Sequence, residues 1–427
     1  MSSEITNKVQ HWSYIIGLII AGESIYLIPY LRKTFQTSME VVFDLTSTEV
    51  GWLNTLFGIL AVLSYFPSGW LADRISARRL LTFSLLATGA GGFYMFTIPS
   101  YTQLLALHAF WGVTSILTFW AALIKATRSW GNPQNQGTSF GILDGGRGVV
   151  AALLASLATW AFSMSEEVLP SLKSVLLIYS LAPFITGIII WFVIPEKQYS
   201  SGGKTVSHKE KHIEGGVAQA FRMPQVWLLA VIIFCAYVLY VGGFDFPAYA
   251  EKAYNKTKTF GAIVGTIRDW MRPIAALGAG LLADRFSSSR MVSISFVILI
   301  CSFLTMGLIT PEPNMVWLLW TQVISGALAI FALRGVYFAI MQETGVPIGL
   351  TGVTVGIVSF IGFMPDAFLH TVSGWFVDTF PGTSGYRYYF LVLAFMAFLG
   401  LVASLYIRRY RYHEPAAVAD STLVEEK

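Results

Sequence analysis

The chain has 427 residues, 55% of them hydrophobic and only 12% charged, with a mean hydropathy of +0.62. A soluble globular protein carries roughly a quarter charged residues, so a water-facing surface of this size would be starved of charge and the chain is expected in a membrane. A formal net charge of +4 is too small for a nucleic-acid binder. Cys235 and Cys301 each lie inside an apolar run, which supports neither a disulfide framework nor a thiolate metal site.

The first eleven residues are polar and lack the basic-then-apolar layout of a signal peptide, so the first apolar run is read as a retained span. At about 20 apolar residues per crossing, twelve spans are predicted near 12–31, 49–72, 79–97, 103–125, 138–163, 173–194, 226–247, 258–283, 290–309, 315–340, 350–377 and 386–408. Short breaks such as Ile98-Pro99-Ser100-Tyr101 and Thr310-Pro311-Glu312-Pro313 make neighbouring spans antiparallel. Alternating ten-residue strands are absent, which excludes a closed barrel.

Lys and Arg placement sets sidedness, because cytoplasmic segments hold the excess. With both termini inside, the cytoplasmic segments carry seventeen basic residues, including Arg74, Arg78, Arg79, Lys125, Arg408 and Arg409. The outer segments carry only Arg32, Lys33, Lys173, Lys252, Lys256, Lys258 and Arg387. A multi-pass inner-membrane protein with both termini cytoplasmic is the expectation. The long polar stretch 195–222, with Ser200-Ser201-Gly202-Gly203, reads as a flexible linker. It divides the chain into an N-terminal six-helix bundle (1–194), a cytoplasmic linker loop (195–225), a C-terminal six-helix bundle (226–411) and a cytoplasmic tail (412–427). A repeat supports that division: Gly69-Trp70-Leu71-Ala72-Asp73-Arg74 after span two recurs as Gly280-Leu281-Leu282-Ala283-Asp284-Arg285 after span eight.

On these features the whole chain resembles the major facilitator superfamily: six plus six spans, a long central loop and G-x-L-A-D-R motifs after spans two and eight. The resemblance implies an all-α membrane fold of two pseudo-symmetric six-helix bundles. It also implies a conformational latch at Asp73, Arg74, Asp284 and Arg285, in which the Asp caps a helix end of the neighbouring bundle in the outward-facing state. A carboxylate near a helix N-terminus accepts from unpaired backbone donors, which gives the latch a physical basis. Ser76 and Ser287 stand where the family commonly has Gly. Within the superfamily the chain is similar to the organic-anion group, which includes organophosphate exchangers and anion:cation symporters, on the run Gly141-Ile142-Leu143-Asp144-Gly145-Gly146-Arg147-Gly148. The paired arginines of organophosphate exchangers lie in spans one and seven, where the predicted spans hold Glu23 and no Arg, so a carboxylate is favoured over a phosphate ester.

Ionisable groups in a span point to a cavity unless they are paired. Spans one, five, eight, ten and eleven contain Glu23; Asp144 and Arg147; Arg268, Asp269 and Arg272; Arg334; and Asp366 with His370. Spans three, six, nine and twelve contain none, and in the resembled architecture those four lie at the lipid periphery. Arg keeps its proton and grips carboxylate or phosphate through a planar fork, so Arg147, Arg268, Arg272 and Arg334 are expected to bind an anionic small molecule, with internal pairing to Asp144 and Asp269 as the structural alternative. Arg268 and Arg147 lead that set. A desolvated carboxyl favours its neutral form, which makes Glu23, Asp144 and Asp366 the candidates for proton coupling; Glu23 has no charged neighbour on its own helix. Tyr26 and Tyr237 are offered as substrate-path residues. Close glycines in spans five and eleven, among them Gly141, Gly145 and Gly356, are expected to let helices slide.

The expected function is a secondary transporter that moves a sugar acid or another small carboxylate across the inner membrane by alternating access, as a proton symporter working as a monomer, without cofactor or metal. No G-x-x-x-x-G-K-[ST] run is present, so ATP drive within this chain is not expected. No nucleophile or metal motif supports an enzyme. A phosphate-type exchanger and a transporter-like solute sensor are the alternatives, and buried arginines argue against export of lipophilic cations.

Overall fold

The structure, a computed structural model, describes residues 2–130, 136–196, 216–283, 287–346 and 350–410. The central linker from 197 to 215, Asp284 and Arg285 of the second motif, and the tail beyond 410 lie outside the described residues. Secondary structure throughout the described chain is helical. The first six crossings are α1 (Ser2–Leu27) with its continuation α2 (Arg32–Phe43), α3 (Ser47–Arg74), α4 (Ala77–Met95), α5 (Tyr101–Thr114) with α6 (Trp120–Trp130), α7 (Gln136–Phe162) and α8 (Val168–Val193). After the short α9 (Gly216–Arg222) come α10 (Pro224–Gly242) with α11 (Phe246–Ala253), α12 (Lys258–Ala283), α13 (Ser288–Leu308), α14 (Val316–Val336) with α15 (Ile340–Glu343), α16 (Thr351–Gly362) with α17 (Leu369–Thr379), and α18 (Ser384–Tyr406).

Among the described residues, eight helical stretches are long and apolar enough to cross a membrane on those grounds alone, and bent α3 makes nine. The rest are crossings whose chemistry departs from plain lipid spans. The third, α4, is only 19 residues long and starts with Arg78 and Arg79, the fourth is interrupted at Ser115–Phe119 between α5 and α6, and the eighth, α12, carries Arg268, Asp269 and Arg272. Local signals set the ends. Thr46 and Glu49 form a reciprocal capping box at the start of α3, Ser100 and Gln103 one at the start of α5, and Ser76 accepts from the Arg79 N–H at the start of α4. Pro67 removes a backbone donor within α3, where the helix bends by 60°.

Each half has its own apolar core. Leu53, Trp111 and Leu176 are buried in the first half, and Leu239, Phe296, Val323 and Phe390 in the second. The pseudo-symmetry is visible in packing: α4 lies against α8 as α13 lies against α18. Their few charges, Arg78, Arg79, Lys173, Arg290 and Arg387, lie in the first two turns, and their outer faces expose Phe83, Ile188, Phe192, Ile294, Val297, Phe395 and Phe398, the apolar surface that lipid covers.

Two spans are longer than the hydropathy pattern predicted. The first runs as a single apolar stretch over Trp12–Phe43 and the seventh over Pro224–Ala253, because α2 and α11 extend them past their breaks. Arg32, read from the sequence as an outer-loop charge, is 1% exposed in this extension.

Candidate functional site

The two halves meet along α3 against α17, α7 against α12, and α2 against α11 and α12. Between them lies a cavity of about 250 Å³. Its wall carries Glu23 from α1, Asp144 and Arg147 from α7, Arg272 from α12, Arg334 from α14 and Asp366 from the turn between α16 and α17. Rings complete it, with Tyr26, Tyr30, Tyr65 and Trp120 from the first half and Tyr237, Tyr240 and Phe244 from the second.

The charges form one cluster and one separate carboxylate. Glu23 Oε2 lies 3.4 Å from Arg147 Nε in its own half and 3.3 Å from Arg272 Nη1 across the seam. Asp144 Oδ1 accepts from Arg272 Nη2 at 2.8 Å and lies 3.8 Å from Arg147 Nη1. Glu23 is buried, whereas the Asp144 side chain is 70% exposed; Asp144 therefore marks the side on which the cavity meets solvent. Arg334 stacks over Tyr240 at 3.8 Å, has no carboxylate within ion-pair distance among the described residues, and keeps a buried Nη1 without a hydrogen-bond partner. Asp366 is occupied differently: Tyr30 Oη donates to its Oδ2 at 2.6 Å, and His370 Nε2 lies 3.1 Å from its Oδ1.

Arg268 does not reach the cavity, contrary to its leading place in the sequence reading. It is 1% exposed, lies 3.5 Å from Asp269 Oδ1, donates to the Tyr240 carbonyl at 3.3 Å and sits 4.7 Å over Phe244. Phe244 and Tyr240 of the seventh crossing line the cavity and have Arg268 against their rings, whereas Arg272, one helical turn on, is itself part of the cavity wall. Asp269 is also held by Lys33 at 2.6 Å, so the Arg268 side of α12 is internally neutralised.

Among the described residues, the contacts that seal the seam gather at one end. On the face opposite the termini, Arg32 Nη2 donates to Asp245 Oδ1 at 2.7 Å and to Ser373 Oγ at 3.2 Å, while Nε reaches Gln36 and Nη1 reaches His370. Farther out, Lys252 pairs with Glu40 at 2.6 Å, and Asp378 accepts from the Thr48 N–H at 2.6 Å. The α3 and α17 backbones meet so closely that a Cβ added at Gly51 or Gly58 would run into the carbonyls of His370 or Asp366. On the terminus-bearing face, the hydrogen bonds and ion pairs described between halves stop at Arg272 and Asp144. Gly141, Gly145 and Gly356, expected to pack closely, have open space around them. Asp73 there is 80% exposed on its side chain and turns to Lys125 of its own half at 3.4 Å, and Arg74 stacks on Trp70, so neither touches the other bundle in this conformation.

The sequence reading missed Arg32 and Lys33 as interior residues. A signal was present: Arg32, Gln36 and Glu40 recur every fourth residue, the spacing of one helical face, and they form a ladder of hydrogen bonds at 2.9 and 3.0 Å.

A multi-pass helical protein with two bundles and a charged cavity between them, closed at one end among the described residues, has the architecture of a membrane solute transporter. The chain belongs to the Major Facilitator Superfamily, whose sequence pattern matches residues 13–369. It is 28% identical over 397 residues to Inner membrane protein YihN of Escherichia coli, covering 92% of this chain and 94% of that one, and 28% identical over 401 residues to Inner membrane protein YqcE of the same organism, covering 93% and 94%. The fold matches a bacterial homolog of the human lysosomal transporter Spinster in an inward-facing, unoccupied conformation, with a TM-score of 0.73 at 15% identity over 95% of this chain and 98% of that one. It also matches the nucleoside transporter NupG, with a TM-score of 0.71 at 14% identity over 94% of this chain and all of that one.

Proposed function

We propose that the protein is a secondary transporter of a small organic anion, a sugar acid or comparable carboxylate, carried across the inner membrane with a proton by alternating access. The observation that supports it is Arg334, a guanidinium on the cavity wall with no carboxylate within ion-pair distance among the described residues and a buried Nη1 without a hydrogen-bond partner. Arg147, Arg272 and Arg334 face Glu23 and Asp144, while Asp366 is engaged by Tyr30 and His370. Arg does not lose its proton at accessible pH, so the substrate supplies the missing anion. The Tyr hydroxyls and ring faces around it suit a polyhydroxylated solute.

Arg272, with Arg147 from the other half, takes the anchoring role expected first of Arg268. A substrate carboxylate competes with Glu23 for these donors. Once displaced, Glu23 is a desolvated carboxyl without a cation, and the neutral form is favoured; the proton it takes up travels with the anion. Asp144, in contact with water, serves as a fixed partner of Arg272. A phosphate ester fits less well: Arg32 does place an arginine in the extended first crossing, but it lies outside the cavity and is neutralised by Asp245. The charged wall also sets this cavity apart from one built for a neutral solute such as a nucleoside. Asp73 and Arg74 are assigned to docking on the other bundle when the terminus-bearing face closes, the face proposed to be cytoplasmic.

Thermal-shift measurement on the purified protein against sugar acids, dicarboxylates, phosphate esters, nucleosides and amphipathic cations tests the reading, because stabilisation follows ligand concentration over Kd. Stabilisation by monocarboxylates that is lost in Arg272→Ala is expected. Stabilisation by cations or nucleosides alone would overturn it.

A further inference from the structure

The sealed face contains a buried polar chain that substrate binding does not use. Arg32 belongs to the first half; Asp245, Asp366, His370 and Ser373 belong to the second. Arg32 is therefore a pin that crosses the seam, and its fork holds three partners there: Asp245, Ser373 and His370 Nδ1. The second seam bond of the chain, from the Tyr30 hydroxyl to Asp366, lies at the cavity end.

Donor and acceptor roles fix the protons. A guanidinium only donates, so His370 Nδ1 must carry its lone pair. The ring proton then sits on Nε2 and points at Asp366 Oδ1. Asp366 consequently accepts on both oxygens, from His370 and from Tyr30, which is the ionised carboxylate's pattern. The groups facing this chain are Tyr26, Tyr30, Tyr65 and Tyr237 around Asp366, and Arg32, Asp245 and the Phe244 ring around His370.

We infer that Asp366, His370 and Arg32 form a relay through which protonation of a cavity carboxylate releases the seal on the opposite face, with Arg32 as the positioning residue that holds it. A proton arriving from cavity water on Asp366 places a donor against a donor, so either the Tyr30 hydroxyl or His370 Nε2–H must turn away. Loss of the first removes a bond across the seam. Rotation of the His370 ring takes Nδ1 from Arg32 and loosens the second.

The test needs no substrate. With Cys235 and Cys301 replaced by Ala and Ser, Thr55→Cys puts a thiol on α3 behind the seal, at a buried position outside the cavity lining that bonds Thr371 of the other half. In nanodiscs, a water-soluble maleimide reaches both faces. Asp366→Asn, His370→Ala and Arg32→Ala are each expected to raise the labelling rate about fivefold or more, as the open population grows. The Arg32→Ala/Asp366→Asn double variant should add less than about twofold to the faster single, because coupled residues are not additive. Divided at each pH by the rate of a fully exposed cysteine, which removes the change in thiolate fraction, the parent rate should climb as pH falls and that of Asp366→Asn should be flat. Should Arg32→Ala not fold, Arg32→Lys, which keeps the charge but loses the fork, must raise the rate as well. Parent-level labelling in Asp366→Asn, or a double variant whose rate multiplies the two singles, would overturn the relay.

Discussion

The two ends of the seam between the halves are built from different materials. The sealed end has a buried ion pair, Arg32 with Asp245, surrounded by a backbone-to-backbone approach at Gly51 and Gly58. The other end has mobile-length side chains facing water: Asp144 at 70% exposure and Asp73 at 80%. A buried pair that loses one partner leaves an uncompensated charge costing about 3–5 kcal/mol, whereas an exposed pair contributes about 0–1 kcal/mol. Closure at one end is thus strongly specified, and the open end is left free to rearrange. Alternating access requires that imbalance to reverse during the cycle.

The sharpest break in this comparison is at Glu23, where the cavity cluster joins the halves. Glu23→Gln is expected to abolish accumulation driven by a pH gradient while counterflow exchange persists with a flattened pH profile, measured in proteoliposomes. If Glu23 is instead a fixed partner of Arg272, the same change strands a buried cation, and the protein should lose several kcal/mol of stability. Loss of folding, or an unaltered pH profile, would move the coupling role to Asp366.

Arg272 and Arg268, one turn apart, provide the next contrast. Arg272→Lys keeps the charge but loses the planar fork, so affinity for the anion should fall about 10- to 100-fold, or roughly 1.4–2.7 kcal/mol, in a binding titration. Arg268→Lys should change affinity by less than about threefold while lowering thermal stability, since its work is to neutralise Asp269 behind Phe244. Equal losses of affinity at both positions would mean that the Phe244 wall opens during the cycle.

A smaller effect is expected at Gly58. Gly58→Ala drives a methyl into the Asp366 carbonyl, an overpacking cost of about 1–3 kcal/mol borne by the sealed state alone. Accessibility of the opposite face to a water-soluble thiol reagent should rise, with little change in expression. Unchanged accessibility would show that the backbones separate without loss of the seal.

Much of this was legible in the sequence, and the part that was not has a physical cause. The apolar runs predict twelve crossings, and spans three, six, nine and twelve, whose interiors carry no charge, pack against one another in pairs, α4 on α8 and α13 on α18. Residues Glu23, Asp144, Arg147, Arg272, Arg334, Asp366, Tyr26 and Tyr237 come together on one cavity wall. Hydropathy failed at Arg32, because a basic residue ending an apolar run reads as a headgroup anchor unless its partner, Asp245, is known to lie 213 positions away in the chain. It failed again at Arg268, because residues 268 and 272 share a helical face and only an aromatic from another helix decides which one meets the cavity.

The central claim is that Arg272 anchors an anion which enters with a proton. Uptake of radiolabelled monocarboxylates into proteoliposomes, under an imposed pH gradient, tests it most directly. Accumulation that follows the gradient, competes with other monocarboxylates and disappears in Arg272→Ala is the predicted result. Wild-type accumulation in Arg272→Ala, or uptake confined to cations or neutral solutes, would contradict it.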